Sequence, residues 1–332
     1  MTSGGPTLPG AIPEAMAPPL PVEGPRPVPL PLAVGAMVLS AACWGLATVL
    51  AKDVLAVMPP FPLLAIQLTA SVLFLWLAVA VTRAQVPPQP VAGRAAATGL
   101  LEPGLAYGLG VPGLALTSAT NASIIGAVEP VLIVLVAWVL LGSRPDGRLV
   151  VAVLVATLGV ALVSLTGLGK SGGGHVGGDA LVLLGTLFAA LYAVLSSRTV
   201  LHVAPLSLAA LQQSAGLAAA LVLLAASAGL QGLAPGPDAW WSGIADPRIV
   251  ADPRVLAVAA LSGVVQYALP FWFYLIGIRG LPVAVAGLFL TLIPVFGVGG
   301  AVLFLGEGFA LLQALGAVLT IGALVTVARR TG

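Results

Sequence analysis

Two carboxylates stand where carboxylates are rare. Glu102 lies in TGLLEPGLAYGLG and Glu129 in NASIIGAVEPVLIVLVAWVLLG, both well inside apolar runs. At 1.5 Å per helical residue, Glu102 sits about 12 Å past Arg94 and Glu129 about 22 Å from Arg144. Both depths fall within a bilayer core of about 30 Å. A charge there is costly, so an ionisable residue at that depth marks a substrate or ion path by default. Its chemistry would be to hold a substrate amine or to carry a coupling proton. The structural alternative follows from the next residues, Pro103 and Pro130. A proline frees a carbonyl one turn back, and a protonated carboxyl can bond to it.

Other polar and aromatic residues extend this set. Ser40, Trp44, Thr48 and Lys52 are each four apart and share one helix face. That stripe either lines a cavity or forms a polar seam against a neighbouring helix. Gln67 and Gln213 occupy matched positions in two halves of the chain, and glutamine is disfavoured against lipid, so both should face protein or cavity. Gln266 is matched to Glu102, keeping hydrogen bonding without ionisation. Tyr107, Tyr192, Phe271, Trp272 and Tyr274 are candidates for an aromatic pocket, with core packing or an interfacial position as the alternative for each. A midplane cavity lined by Glu102, Gln67 and Trp44 is therefore expected.

Several chemistries are excluded. GLGKS at 167–171 has Ser164 where a phosphate loop needs glycine, and an apolar helix precedes it. His175 and His202 lie in linkers without partners at metal-ligand spacing, so no metal site is expected. The single cysteine, Cys43, rules out an intramolecular disulfide and a cysteine cluster. No nucleophile-base set is present, and neither an enzyme nor a cofactor is expected. Lys52, Asp53 and Arg198 read as helix-end anchors.

The elements that hold these residues must be membrane helices. The 332 residues are 59% hydrophobic and 7% charged, with mean hydropathy +1.12. Soluble domains carry about 25% charge, so lipid must cover this surface. A net charge of +2 is too weak for nucleic-acid binding. Residues 1–32 hold ten of the 28 prolines and read as a disordered tail. Ten later segments are long enough to span: 33–52, 62–82, 94–113, 118–141, 148–167, 179–197, 206–229, 255–278, 281–304 and 309–328. With the N-terminus inside, inner segments hold Arg26, Arg83, Arg94, Arg144, Arg148, Arg198, Arg279, Arg329 and Arg330. Outer ones hold only Lys52, Lys170, Arg248 and Arg254. This asymmetry places both termini in the cytoplasm.

The chain also repeats itself. At a shift of 164, Ala122 falls on Ala286, Pro130 on Pro294, Val131 on Val295 and Gly142 on Gly306. Earlier, at a shift of 146, Lys52 falls on Arg198, Pro59 on Pro205 and Gln67 on Gln213. The long loop after the seventh helix absorbs the difference. Two five-helix units result, 33–167 and 179–330, joined by a glycine-rich linker at 168–178. Five is odd, so the second unit enters the membrane from the opposite face. The expected fold is an all-α membrane protein of ten transmembrane helices in two inverted five-helix repeats. Pro130 and Pro294 are the expected helix breaks, of the kind that mark transport sites.

Trp44-Gly45, Pro130-Val131, Pro294-Val295 and Gly306-Glu307, in this order over residues 33–330, resemble the EamA type of the drug/metabolite transporter superfamily. The first repeat departs with Gly142-Ser143 where the pattern has Gly-Glu. The resemblance implies alternating-access movement of small organic metabolites, amino acids or related compounds, with export as the expected direction and protons as the candidate coupling ion. The expected partners are a small-molecule substrate and the lipid of the cytoplasmic (inner) membrane. Two alternatives stay open: a non-transporting membrane protein (intramembrane enzyme or scaffold) and a multidrug exporter.

Overall fold

The computed structural model describes residues 28–55, 58–116, 122, 125–164, 176–231, 252–305 and 311–328. The proline-rich tail through residue 27, most of the glycine-rich linker, the loop holding Trp240 and Trp241, and Gly306-Glu307 lie outside the described residues. So do the side chains of Thr48 and Lys52.

Every regular element described is helical. The first half holds α1 (Leu30–Leu55), α2 (Pro60–Thr82), α3 (Gln89–Gly99), α4 (Ala106–Leu116), α5 (Glu129–Leu141) and α6 (Gly147–Ser164). The second holds α7 (Val176–Thr199), α8 (Pro205–Gln231), α9 (Pro253–Gly263), α10 (Leu269–Gly280), α11 (Val283–Leu290), α12 (Ile293–Leu305) and α13 (Leu311–Ala328). Most of these helices are apolar on all sides, as membrane spans are. Leu73 and Leu77 of α2, Val139 of α5, Val222 of α8 and Leu303 of α12 stand exposed, which a water-facing surface of this extent would not tolerate. Six helical stretches are long and apolar enough to cross a bilayer: Leu30–Ala47, Pro60–Thr82, Val176–Thr199, Pro205–Gly229, Pro253–Gly280 and Val283–Phe304. α5, α6 and α13 are apolar but shorter. The chain is a multi-pass membrane protein.

The ten segments expected from hydropathy are not ten continuous helices. α3 and α4 are joined by a π-helical turn, Leu100–Leu105, and α9 and α10 by another, Val264–Ala268. At the first turn Glu102 leaves the helical region (φ −146, ψ 126), and its peptide to Pro103 is cis. The residue before a proline is pushed out of the α region by the ring. Pro270 follows the second turn and offers no N–H to the carbonyl of Gln266. A second kind of break precedes α5 and α12. The backbone turns at Ala127–Val128 and at Thr291–Leu292, and each helix restarts on a proline, Pro130 or Pro294. There the N–H groups step back to carbonyls three residues earlier: Val128 to Ile125, Thr291 to Leu288 and Leu292 to Phe289. Both kinds of break recur at the 164-residue shift.

The packing obeys the same exchange. α1 packs on α10 and α12; in mirror fashion α7 packs on α4 and α5. α9 lies against α2 as α3 lies against α8. The remaining large contacts, α2 on α8 and α6 on α13, join equivalent helices. Glycine allows the closest of these approaches. A Cβ on Gly99 would fall on the Gln212 backbone, and one on its counterpart Gly263 on the Gln67 backbone. The core gathers Trp44 and Leu68 with Tyr192, Phe271, Tyr274 and Leu288, drawn from both halves.

Candidate functional site

The four helix breaks meet around one cavity of about 170 Å³. Glu102 reaches it from the first π turn and Gln266 from the matched one; Glu129 opens α5 and Ile293 opens α12. Trp44 of α1, Tyr107 of α4, Tyr192 of α7 and Tyr274 of α10 complete its polar and aromatic wall. Seven residues singled out from the sequence, Trp44, Glu102, Tyr107, Glu129, Tyr192, Gln266 and Tyr274, thus share one wall. The halves do not contribute alike. At the 164-residue shift Glu102 becomes Gln266 and Glu129 becomes Ile293, so both carboxyls belong to the first half.

The rings are held by one another and by a polar network behind them. Trp44 meets Phe271 edge-on at 5.2 Å and Tyr274 at 6.0 Å. Tyr192 meets Phe271 at 5.6 Å and stacks with Tyr274 at 6.4 Å. The Tyr192 hydroxyl donates to Gln212 Oε1 at 3.0 Å, and Gln212 Nε2 donates to Thr98 Oγ1 at 2.7 Å and Ser196 Oγ at 3.0 Å. On the other side Tyr107 packs edge-on against Tyr267 at 5.3 Å and hydrogen-bonds Gln266. Spacing alone did not point to Gln212 or Tyr267. The neighbour of Gln212, Gln213, carried the repeat match, and Tyr267 takes the place of a proline, Pro103, at the 164-residue shift.

Other expected site residues lie elsewhere. Gln67 is buried between helices, its Nε2 donating to Ser262 Oγ at 2.9 Å. Gln213 is fully buried in the α2–α8 seam, where its Oε1 accepts from Ser71 Oγ at 3.5 Å. Both face protein, and neither lines the cavity: Gln67 turns toward α9 and Gln213 toward α2. Ser40 donates to the carbonyl of Pro270 at 2.8 Å, which makes that end of the α1 stripe a seam. Trp272 is half-buried and stacks on Phe273 at 5.9 Å, away from the wall. Pro130 is buried at the start of α5 and Pro294 half-buried at the start of α12, where each begins a helix rather than kinking one.

Comparison with known proteins gives this arrangement a family. Residues 31–165 match the EamA-like transporter family, and residues 176–329 match it a second time. The chain belongs to that family. EamA proteins form part of the drug/metabolite transporter superfamily. The two EamA matches coincide with the two halves that exchange contacts, and the paired breaks fall at equivalent places in each. A solved crystal structure superposes with a TM-score of 0.69 at 21% identity, covering 90% of this chain and 98% of that one. At that identity the likeness concerns fold alone. No curated protein sequence matches the chain.

This EamA protein has a second, larger hollow, a groove of about 1370 Å³ at one end of the bundle. Arg144, Arg148, Arg198 and Arg279 line it, with apolar walls from α6, α11 and α13. Asp146 also lies there, its Oδ1 accepting from the Leu149 N–H at 2.7 Å to cap α6. These arginines belong to the segments that the Lys/Arg asymmetry assigns to the cytoplasm. Among the described residues none lines both hollows.

Proposed function

We propose that the protein is a secondary active transporter that moves small organic metabolites across the cytoplasmic membrane by alternating access. One observation carries this reading: a cavity bearing two carboxyls sits where the interrupted helices of two exchangeable halves converge. Interrupted helices bend at little cost, because their backbone ladder is already open at the break. Rocking one half against the other would close the cavity on one side and open it on the other. In this reading ten spans form two inverted repeats, Glu102 and Glu129 hold the substrate or the coupling proton, and export is the direction the family resemblance suggests. Flux into proteoliposomes tests it. Uptake of amines, amino acids and sugars would be followed with and without a pH gradient. A panel in which no solute moves faster than through protein-free vesicles would sink the reading.

Topology gives a separate prediction. Both termini are expected in the cytoplasm, on the inner excess of arginine. A reporter that fluoresces only in the cytoplasm should give signal when fused at Gly332 and none when inserted near Trp240. The opposite pattern would overturn the orientation.

A further inference from the structure

Glu102 and Glu129 bring two carboxyls to the cavity wall, and no Lys, Arg or His is among the described residues lining the cavity. The four arginines of the larger groove contribute nothing to this wall. Around the carboxyls stand the neutral amide of Gln266 and the rings of Trp44, Tyr192 and Tyr274. Ring faces are negative and attract cations as carboxylates do. A carboxylate away from water needs a partner of opposite charge, and this wall offers none, whereas an entering ammonium ion would. An α-carboxylate would meet two acidic side chains and electron-rich rings with no cation to receive it.

Two residues of the wall also carry unpaired polar atoms. Trp44 is 8% exposed and Tyr274 2%, yet Trp44 Nε1 and the Tyr274 hydroxyl have no hydrogen-bond partner among the described residues. Both residues line the cavity. Buried Trp and Tyr ordinarily spend their polar atom on a partner; these two atoms are closed off from the cavity space, so recognition falls to the carboxyls and the ring faces.

Taking the transport reading as its basis, we infer that the substrate is a compact organic amine without a carboxylate. Its ammonium lies between Glu102 and Glu129, and its apolar body lies against Trp44, Tyr192 and Tyr274. Size narrows the choice. A cavity of about 150 Å³ accommodates benzene, so about 170 Å³ suits one ring and a short chain.

Three probes with one ring and one chain length separate the charges: 2-phenylethylamine, phenylalanine and 3-phenylpropanoate. Each is titrated by calorimetry into the purified full-length protein in lipid nanodiscs. The amine is expected to bind at least about tenfold more tightly than phenylalanine, a difference that calorimetry resolves, and the acid not to saturate. Equal or tighter binding of phenylalanine, or no saturable binding of the amine, overturns the inference. Ala189→Leu adds bulk to the wall without touching a carboxyl and should weaken the amine in protein that remains monodisperse. Unchanged amine affinity in that variant removes the amine from this cavity. Flux is scored separately in proteoliposomes. Amine binding with no flux of any solute leaves the ligand assignment standing and defeats transport. Flux of a carboxylate-bearing solute with no amine binding does the reverse.

Discussion

Glu102→Gln is expected to cut substrate flux by about tenfold to a hundredfold while leaving the protein folded in the membrane. The range follows from the loss of one charge-assisted interaction, about 1.5–3 kcal/mol, read as a rate at about 1.4 kcal/mol per factor of ten. The fold should survive because the position already accepts an amide in the other half. Gln266 occupies the matched π turn and lines the same cavity. Glutamine also keeps the shape and most of the hydrogen bonding of glutamate, so a purely structural Glu102 would lose little. The measurement is solute flux by wild type and variant in proteoliposomes, with and without a pH gradient. Loss of flux with normal insertion assigns the carboxyl to the path. Equal rates and an equal response to the gradient would return Glu102 to a structural role. Glu129→Gln is the informative companion, since its counterpart Ile293 shows that a neutral side chain is tolerated at the start of α12.

Gly263→Val is expected to be among the most damaging of the glycine substitutions outside the cavity. A Cβ there would lie 2.5 Å from Gln67 Cα and 2.8 Å from its carbonyl carbon. These are backbone atoms, so no rotamer change relieves the clash, and α9 must move away from α2. Overpacking of this kind costs about 3 kcal/mol, which should lower the melting temperature in detergent by about 6 °C or more. Gly35→Val is the control, because a Cβ at Gly35 has open space around it on the exposed side of α1. Indistinguishable melting of the two variants would mean that the α2–α9 approach is not as close as described. Gly99 makes the equivalent contact with Gln212, and the same substitution there should behave alike. It should also disturb Tyr192, whose hydroxyl donates to that glutamine.

The legible part of the site was its chemistry. Glu102 and Glu129 were found because a carboxylate in an apolar run is anomalous wherever the chain later places it. The breaks were legible too, at Pro103, Pro130 and Pro294, since a proline cannot donate to the helix ladder in any surroundings. The π turn at Val264–Ala268 was less so; only the repeat, by matching Gln266 to Glu102, pointed there. Hydropathy alone outlines the spans without their interruptions. A hydropathy window averages over Glu102 and Thr291 and registers the apolar length but not the interruption inside it.

The wall of the cavity was decided by tertiary structure. Gln67, Gln213, Gln212 and Gln266 are the same residue type in equally apolar helices, yet only Gln266 reaches the cavity, while Gln212 stands behind Tyr192 and the other two fill helix seams. A soluble amphipathic helix declares its inner face by its apolar stripe. These helices are apolar all round, so their sequences carry no such phase. Their rotation is set by where neighbours can approach, and that is fixed by glycines such as Gly99 and Gly263 meeting another helix's backbone. Solvent class, the two-fold repetition, the helix breaks and the buried carboxyls are local or periodic properties, and the amino-acid sequence by itself determined them. Which side chains turn toward one another is a property of helix pairs, and only the folded bundle decided it.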